Sequence, residues 1–187
     1  MSDDVLQFAR ALEFAARKHV HQRRKGKAAE PYINHLAEVT GLLAAATGGR
    51  DTVLILGGLL HDTIEDTDAT HDELAAEFGR DVADLVAEVS DDKTLAKAER
   101  KRLQVERAPG KSDGARMLKL ADKTSNLRSM VDSPPDGWDA ERKRAYFDWA
   151  ASVAAGCRGV NGYLEDAFDR AWRHGVDQLT KPPDGTA

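Results

Sequence analysis

The chain has 187 residues, 32% of them charged and 41% apolar, with a formal net charge of −5. That length suits one domain with a substantial core, and the composition is that of a globular protein. An acidic chain is poorly suited to coating a nucleic-acid polymer, and no apolar run approaches the ~20 residues needed to span a bilayer.

The N-terminal MSDDVLQF lacks the basic-then-apolar pattern of a secretory leader, and the single cysteine, Cys157, excludes an intramolecular disulfide framework. Both predict a cytoplasmic protein in which Cys157 is a small buried filler. Charge is unevenly spread. HQRRKGK (21–27) carries four cations and no acid, KAERKRLQVER (97–107) five cations against two glutamates, and ERKR (141–144) is a third basic cluster. Three basic patches on an acidic chain suit a small polyanion better than a long one.

Helical periodicity dominates, and no convincing alternating strand is present. Val5, Phe8, Ala9, Leu12 and Ala16 form a first stripe at spacings of three and four. Pro31 opens a second helix with His35, Val39, Leu42 and Leu43 on its inner face, and Gly48-Gly49 stops it. A third helix, 51–61, contains VLILGGLL and is apolar all round, so it is expected at the centre. THDE (70–73) has the form of a capping box opening a short helix that ends near Gly79. Val82, Leu85, Val86 and Val89 mark another, and further helices are expected over 95–108, 114–129, 139–157 and 161–175. The prediction is one all-α domain over 1–187, a bundle of about eight to ten helices with a frayed tail from about residue 180.

Polar residues interrupt the apolar faces in three places. His35 shares the face of Val39 and Leu42, His61-Asp62 closes the central helix, and Asp122 lies inside MLKLADKTSNL. A buried, unpaired carboxylate costs several kcal/mol if it stays ionised. Two imidazoles and two carboxylates on separate inward faces are explained together if they hold one divalent ion such as Mn²⁺, Fe²⁺ or Zn²⁺. Glu65 and Asp66 lie four residues beyond His61 and Asp62. If the helix continues for a turn, they face the same site, where a general base belongs. His19, His21, His71 and His174 read as surface or capping residues, and Trp138, Trp149 and Trp172 as core.

These residues resemble the H…HD…D signature of HD-domain phosphohydrolases. RRKGK…PYINH, LLHDTIEDT, DDKTLAKAERKR and KLADKTSNLR resemble the hydrolase domain of RelA/SpoT proteins, above all the stand-alone small alarmone hydrolases of the metazoan SpoT homologue type. The resemblance runs over nearly the whole chain. It implies removal of the 3′-pyrophosphate from the nucleotides ppGpp or pppGpp, with one Mn²⁺ (alternatively Zn²⁺ or Fe²⁺) held by His35, His61, Asp62 and Asp122. It further implies that Glu65 and Asp66 act on the attacking water, and that Arg24, Lys25, Tyr32, Lys97, Asn126, Arg142 and Tyr146 contact the nucleotide. Arg24 could stack on a guanine, and Asn126 could hold a ribose hydroxyl or a base edge. The same resemblance permits action on NADPH as a phosphatase, or on other nucleotides. A non-catalytic alarmone sensor is the third alternative. No nucleic-acid polymer or membrane is expected as a partner, and the sequence does not give the oligomeric state.

Overall fold

The computed structural model describes residues 3–180, and the expected frayed tail beyond residue 180 lies outside them. Among the described residues there are ten α-helices and no strand ladder. They are α1 (Asp3–Lys18), α2 (Ile33–Thr47), α3 (Thr52–Leu60), α4 (Thr63–Asp66), α5 (His71–Phe78), α6 (Arg80–Val89), α7 (Lys97–Arg107), α8 (Asp113–Asp132), α9 (Ala140–Gly156) and α10 (Gly162–Thr180). A 3₁₀ turn, Ala108–Gly110, joins α7 to the loop before α8.

The central place predicted for α3 is the observed one. It contacts α1, α2, α6 and α8, and Leu54, Leu56, Leu59 and Leu60 are fully buried. Gly58 lets it approach α2, since a Cβ there would lie 2.9 Å from Leu43 Cδ1 and 3.2 Å from the Thr40 Cα. Two apolar clusters flank this helix. One joins α2, α8, α9 and α10, and the other joins α1, α3, α5 and α6. Cys157 is buried in the first, as expected.

The helix ends follow local chemistry. Gly48 takes a left-handed conformation (φ 61°) and stops α2. The Thr70 side chain caps α5 by accepting from the Glu73 N–H, but the reciprocal half of the capping box is missing, because the Glu73 carboxylate accepts from Lys18 instead. α8 and α10 pack closely, and α10 also crosses α9 at Gly175, where a Cβ would lie 2.0 Å from Cε1 of the buried Phe147 ring. Gly175→Ala is therefore expected to overpack this crossing and to lower stability by about 1–3 kcal/mol. Denaturant melts measure it, and the folded fraction should keep wild-type turnover because the crossing is outside the site.

Two expectations need correction. α1 is helical, but the stripe Val5, Phe8, Ala9, Leu12, Ala16 faces solvent. Ala11, Phe14 and Ala15 are the buried residues. α1 packs through the face carrying Phe14 because that ring meets Phe78 edge-on at 5.3 Å and lies under Lys18. His19 is not a surface residue either. It is 3% exposed, its ring stacks on Tyr32 at 5.2 Å, and its Nδ1 pairs with Gln22 Oε1 at 2.5 Å.

Candidate metal centre and nucleotide cavity

The first polar break is made by α3 itself. The helix stops at Leu60, within a residue of its expected end at His61; it does not continue for the further turn, and a separate turn, α4, begins at Thr63. Side chains take the carbonyls that a continuing helix would use. His61 Nδ1 bonds Gly58 O at 2.9 Å, and the Thr63 hydroxyl donates to Leu60 O at 2.6 Å. The break turns His61 and Asp62 inward and sends Glu65 and Asp66 to the wall of the adjoining cavity.

His35 from α2 and Asp122 from α8 complete the cluster. His35 Nε2 lies 3.7 Å from Asp62 Oδ2 and 3.4 Å from Asp122 Oδ1, and His61 Nε2 lies 3.0 Å and 4.0 Å from the same oxygens. His35, His61 and Asp62 present mutually close ligand atoms, and Asp122 faces the two imidazoles from α8. His61 Nε2 is buried without a well-formed hydrogen bond, because the nearby Asp62 oxygen is badly aligned with it. Two buried nitrogens and two carboxylates converging on one point, one of those nitrogens left unsatisfied, fit a divalent cation.

Electrostatics agree with this fit. Burial is the largest influence and opposes a charged His61, but Asp62, Asp122 and the Gly58 carbonyl together outweigh it and raise the imidazole to about 9. Burial lowers His35. Burial is the largest influence on Asp62 and Asp122 and would raise both, yet His61 and His35 together hold the first well below the usual carboxylate range, and Lys123 with the two imidazoles does the same for the second. In the absence of a cation, protons and Lys123 supply the counter-charge.

The surrounding hydrogen bonds fix each of these side chains. The Tyr32 hydroxyl donates to Asp62 Oδ2 at 2.6 Å, Asn126 Nδ2 donates to Asp122 Oδ1 at 2.6 Å, and Lys123 Nζ donates to Asp122 Oδ2 at 2.9 Å. Tyr32 and Asn126 also reach the cavity wall. The amide oxygen of Asn126 accepts from Arg24 at 3.0 Å, so both ends of the amide are already committed within the protein. Arg24 is likewise tethered, to Ser125 and Asn126, rather than free to lie flat on a base.

The cavity adjoining the cluster has a volume of about 490 Å³. All three basic patches reach it. Arg24 and Lys25 come from the loop before α2, Lys97, Arg100 and Lys101 from α7, and Arg142 from α9. The first of these segments is stapled to the loop after α8 by Lys27 N–H to Pro134 O and Ala28 N–H to the Ser133 hydroxyl. The α7 helix divides by face. Lys97, Arg100, Lys101 and Gln104 point inward at helical spacing, while Arg102 pairs outward with Glu99 and Glu106.

Tyr146 lines the cavity. Trp138 and Trp149 do too; Trp138 departs from its reading as core, whereas Trp149 lines the cavity and also packs against the core, as Trp172 does. The two tryptophans flank Tyr146, and cations sit over both rings, Arg142 over Trp138 at 4.3 Å and Lys101 over Trp149 at 4.4 Å. The ring–cation alternation DGWDAERKRAYFDWA was a usable signal for that wall.

Glu65 and Asp66 are held in different ways. Glu65 Oε2 accepts the Asp91 N–H at 3.0 Å and Oε1 lies 3.5 Å from Arg100; burial first, then the nearby acids, push this carboxyl up. Asp66 accepts from Gln22 at 2.8 Å and pairs with Lys93.

Comparison with known proteins decides the lineage. The HD domain family model matches residues 11–148. The chain belongs to the HD-domain family. Within that family it is 49% identical over 173 residues to the human guanosine-3′,5′-bis(diphosphate) 3′-pyrophosphohydrolase MESH1, covering 92% of this chain and 97% of the human one. The Drosophila melanogaster MESH1 is 45% identical, covering 89% and 93%. Among solved structures, a metazoan ortholog of SpoT, described as hydrolysing ppGpp and acting in starvation responses, superposes with a TM-score of 0.86. It is 44% identical, over 90% of this chain and 94% of that one. The resemblance read from the motifs is thus the observed kinship. No helix among the described residues is long and apolar enough to cross a membrane.

Proposed function

We propose that this HD-domain protein is a divalent-metal-dependent hydrolase that removes the 3′-pyrophosphate of ppGpp and pppGpp, yielding GDP or GTP and pyrophosphate. One observation carries the reading. The His35–His61–Asp62–Asp122 cluster and the pair Glu65–Asp66 adjoin a cavity whose other walls are cationic and aromatic, the complement of a purine nucleotide bearing several phosphates. The activity for which the human and Drosophila relatives are named supports it.

The four-residue cluster would hold the ion, with Mn²⁺ our choice and Zn²⁺ or Fe²⁺ compatible with the same donors. When bound, the ion supplies Lewis acidity to a water and to a phosphoryl oxygen. Glu65 takes the proton of the attacking water, its carboxylate aimed by the Asp91 N–H and Arg100. The water oxygen bonds to the phosphorus next to the ribose 3′-oxygen, the bond between that phosphorus and the 3′-oxygen breaks, and the 3′-oxygen leaves as a hydroxyl by taking up the proton that Glu65 accepted. Asp66, anchored by Gln22 and Lys93, orients the same water. Lys25, Lys97, Lys101 and Arg142 bind phosphate oxygens, and Tyr146 with the tryptophans offers the purine an aromatic wall. Tyr32, Asn126 and Arg24 act on the ligands and on the loop that carries the cations rather than on the base.

The test is a substrate panel of ppGpp, pppGpp, NADPH and deoxynucleoside triphosphates, each run with Mn²⁺, Zn²⁺ and Mg²⁺. Fastest turnover on a 3′-pyrophosphorylated guanosine with Mn²⁺ is expected. Preference for NADPH would replace the substrate and keep the centre, whereas metal binding without turnover on any substrate would leave the sensor alternative. Within the proposal, Lys101→Ala removes a cation whose head group lies over Trp149. It should raise KM for ppGpp about tenfold, one charge-assisted contact of roughly 1.4 kcal/mol, with kcat little changed.

A further inference from the structure

One ligand of the cluster is oriented in a way that the residues around it make unusually explicit. His35 Nδ1 lies 2.8 Å from the Ser125 hydroxyl, which lies 2.6 Å from Glu38 Oε2; Glu38 Oε1 in turn accepts from Arg128 at 2.9 Å. Arg24 also donates to the Ser125 oxygen, at 3.3 Å. Ser125 and His35 are buried, and Glu38 sits between them and solvent.

A serine hydroxyl has one proton, an ionised carboxylate has none, and a guanidinium has only donors. Burial would raise Glu38, but its bonds from Ser125 and Arg128 outweigh this and keep it ionised. The Ser125 proton therefore goes to Glu38, and the Ser125 oxygen receives hydrogens from Arg24 and from His35. For His35 to offer a lone pair at Nδ1 instead, Ser125 would have to turn its proton away from a carboxylate 2.6 Å distant and set two lone pairs against each other. From the Ser125 side the bond network puts a hydrogen on Nδ1, which makes Nε2, the atom that faces Asp62 and Asp122, the ligand atom for an ion held with those carboxylates.

The Nδ1 hydrogen of His61 is held differently. Its Nδ1 faces the backbone carbonyl of Gly58, which no substitution of a side chain removes. His35 depends on two replaceable side chains. Helical spacing also links the relay to the ligands, since Glu38 lies three residues after His35 on α2 and Ser125 three after Asp122 on α8. The chain His35–Ser125–Glu38–Arg128 therefore ties together two helices that each carry a ligand.

We infer that Ser125 and Glu38 are positioning residues of the metal centre, which set the tautomer of His35 and hold α2 and α8 at the separation the ion needs. The inference rests on the reading of His35 as a metal ligand. It predicts different His35 tautomers from two substitutions that change little volume. Ser125→Ala removes the acceptor for Nδ1–H and frees both tautomers. Glu38→Gln offers one acceptor and one donor to two donors. The charged Arg128 claims the amide oxygen, the amide N–H turns to Ser125, and the Ser125 proton is driven onto His35 Nδ1, giving the wrong tautomer.

The experiment uses the full chain stripped of metal and titrated with Mn²⁺, alongside ¹⁵N spectra of its histidines before metal is added. In the wild type, Mn²⁺ should bind one per chain and His35 should show the Nδ1–H form. Ser125→Ala and Glu38→Gln should each bind Mn²⁺ about 10–100-fold more weakly, with kcat on ppGpp recovering to within about fivefold once metal saturates. Ser125→Ala should show mixed His35 tautomers and Glu38→Gln the Nε2–H form. Wild-type Mn²⁺ affinity and an unchanged His35 spectrum in both variants would overturn the relay alone. A wild-type chain that binds no divalent ion would overturn the metal reading, and the relay's role with it. Glu38 lies near the surface, so its variant remains informative if Ser125→Ala does not fold.

Discussion

Glu65→Gln is expected to lower kcat for ppGpp hydrolysis by roughly 10²–10⁴-fold, the usual share of a general base, while KM and bound metal stay near wild type. The carboxylate is outside the ligand cluster, so an amide in its place should leave the ion. Its two oxygens face the Asp91 N–H and Arg100, both donors, which aim the group without neutralising it fully. The pH dependence has a definite sign. Burial, with the charges of Asp91, Asp62 and Asp66, raises this carboxyl above its ordinary value. A group raised on folding contributes stability that is complete below its unfolded pKa and is lost as pH rises through the folded one. At neutral pH the ionised group is therefore a burden on the fold, and the Glu65→Gln protein should melt no lower than wild type. The acid limb of the wild-type kcat/KM profile should fall at a higher pH than an ordinary glutamate would set, and that limb should vanish in the variant. Stopped assays across pH, with thermal melts, check both; a variant within a few-fold of wild type would remove Glu65 from the proton step. Asp66, committed to Lys93 and Gln22, should cost less when changed to asparagine.

How much of this was legible in the sequence varies with the physics involved. His61-Asp62 was readable because it follows eight residues with no side chain able to stabilise charge, so polar groups there demanded a reason. His35 and Asp122 were readable because each breaks an apolar stripe at helical spacing. The three basic patches were readable as counter-charge for a small polyanion, although periodicity could not say that Lys97, Arg100 and Lys101 share the face turned from Arg102. The end of the helix at His61 was readable, but its restart as a separate turn at Thr63 was not, because that depends on the Gly58 and Leu60 carbonyls being claimed by side chains. The inner face of α1 was misread because its apolar stripe is the one left to solvent. The Phe14–Phe78 contact that selects the other face is set by a residue 64 positions away. Trp138 was assigned to the core, and Trp149 to the core alone, on residue type, when neighbouring arginines and lysines marked both as a cavity wall. Ser125, Glu38 and Lys123 gave no signal of their own, since a buried serine or lysine becomes meaningful only beside its partner.

Lys123 is the basis of the second large effect. Asp122→Ala should abolish tight divalent-ion binding and, with it, hydrolysis, and should also destabilise the fold by about 3–5 kcal/mol, the range for breaking a buried ion pair from one side. The reason lies less in the ion than in what remains. Lys123 is 5% exposed, its ammonium bonds Asp122 Oδ2 at 2.9 Å, and it lies over the Trp149 ring at 4.7 Å. Burial would lower Lys123, and the charge of Asp122 reverses that and raises it; the same pairing, with the two imidazoles, holds Asp122 far below the ordinary carboxylate range. A carboxyl depressed on folding contributes stability above its unfolded pKa and loses it as pH falls through the folded one, so the penalty of Asp122→Ala should be full at neutral pH and shrink in strong acid. Metal binding and folding can then be separated. Lys123→Met, added to Asp122→Ala, removes the stranded charge while keeping most of the apolar volume, so the double variant should regain most of the lost stability and none of the metal affinity or turnover. Denaturant melts and metal titrations of the wild type, both single variants and the double variant measure it. If the double variant stays as unstable as Asp122→Ala, the damage comes from the lost bonds to Asn126 and His35 rather than from Lys123. If Asp122→Ala still binds the ion tightly, three ligands suffice and Asp122 serves mainly to keep a buried lysine charged.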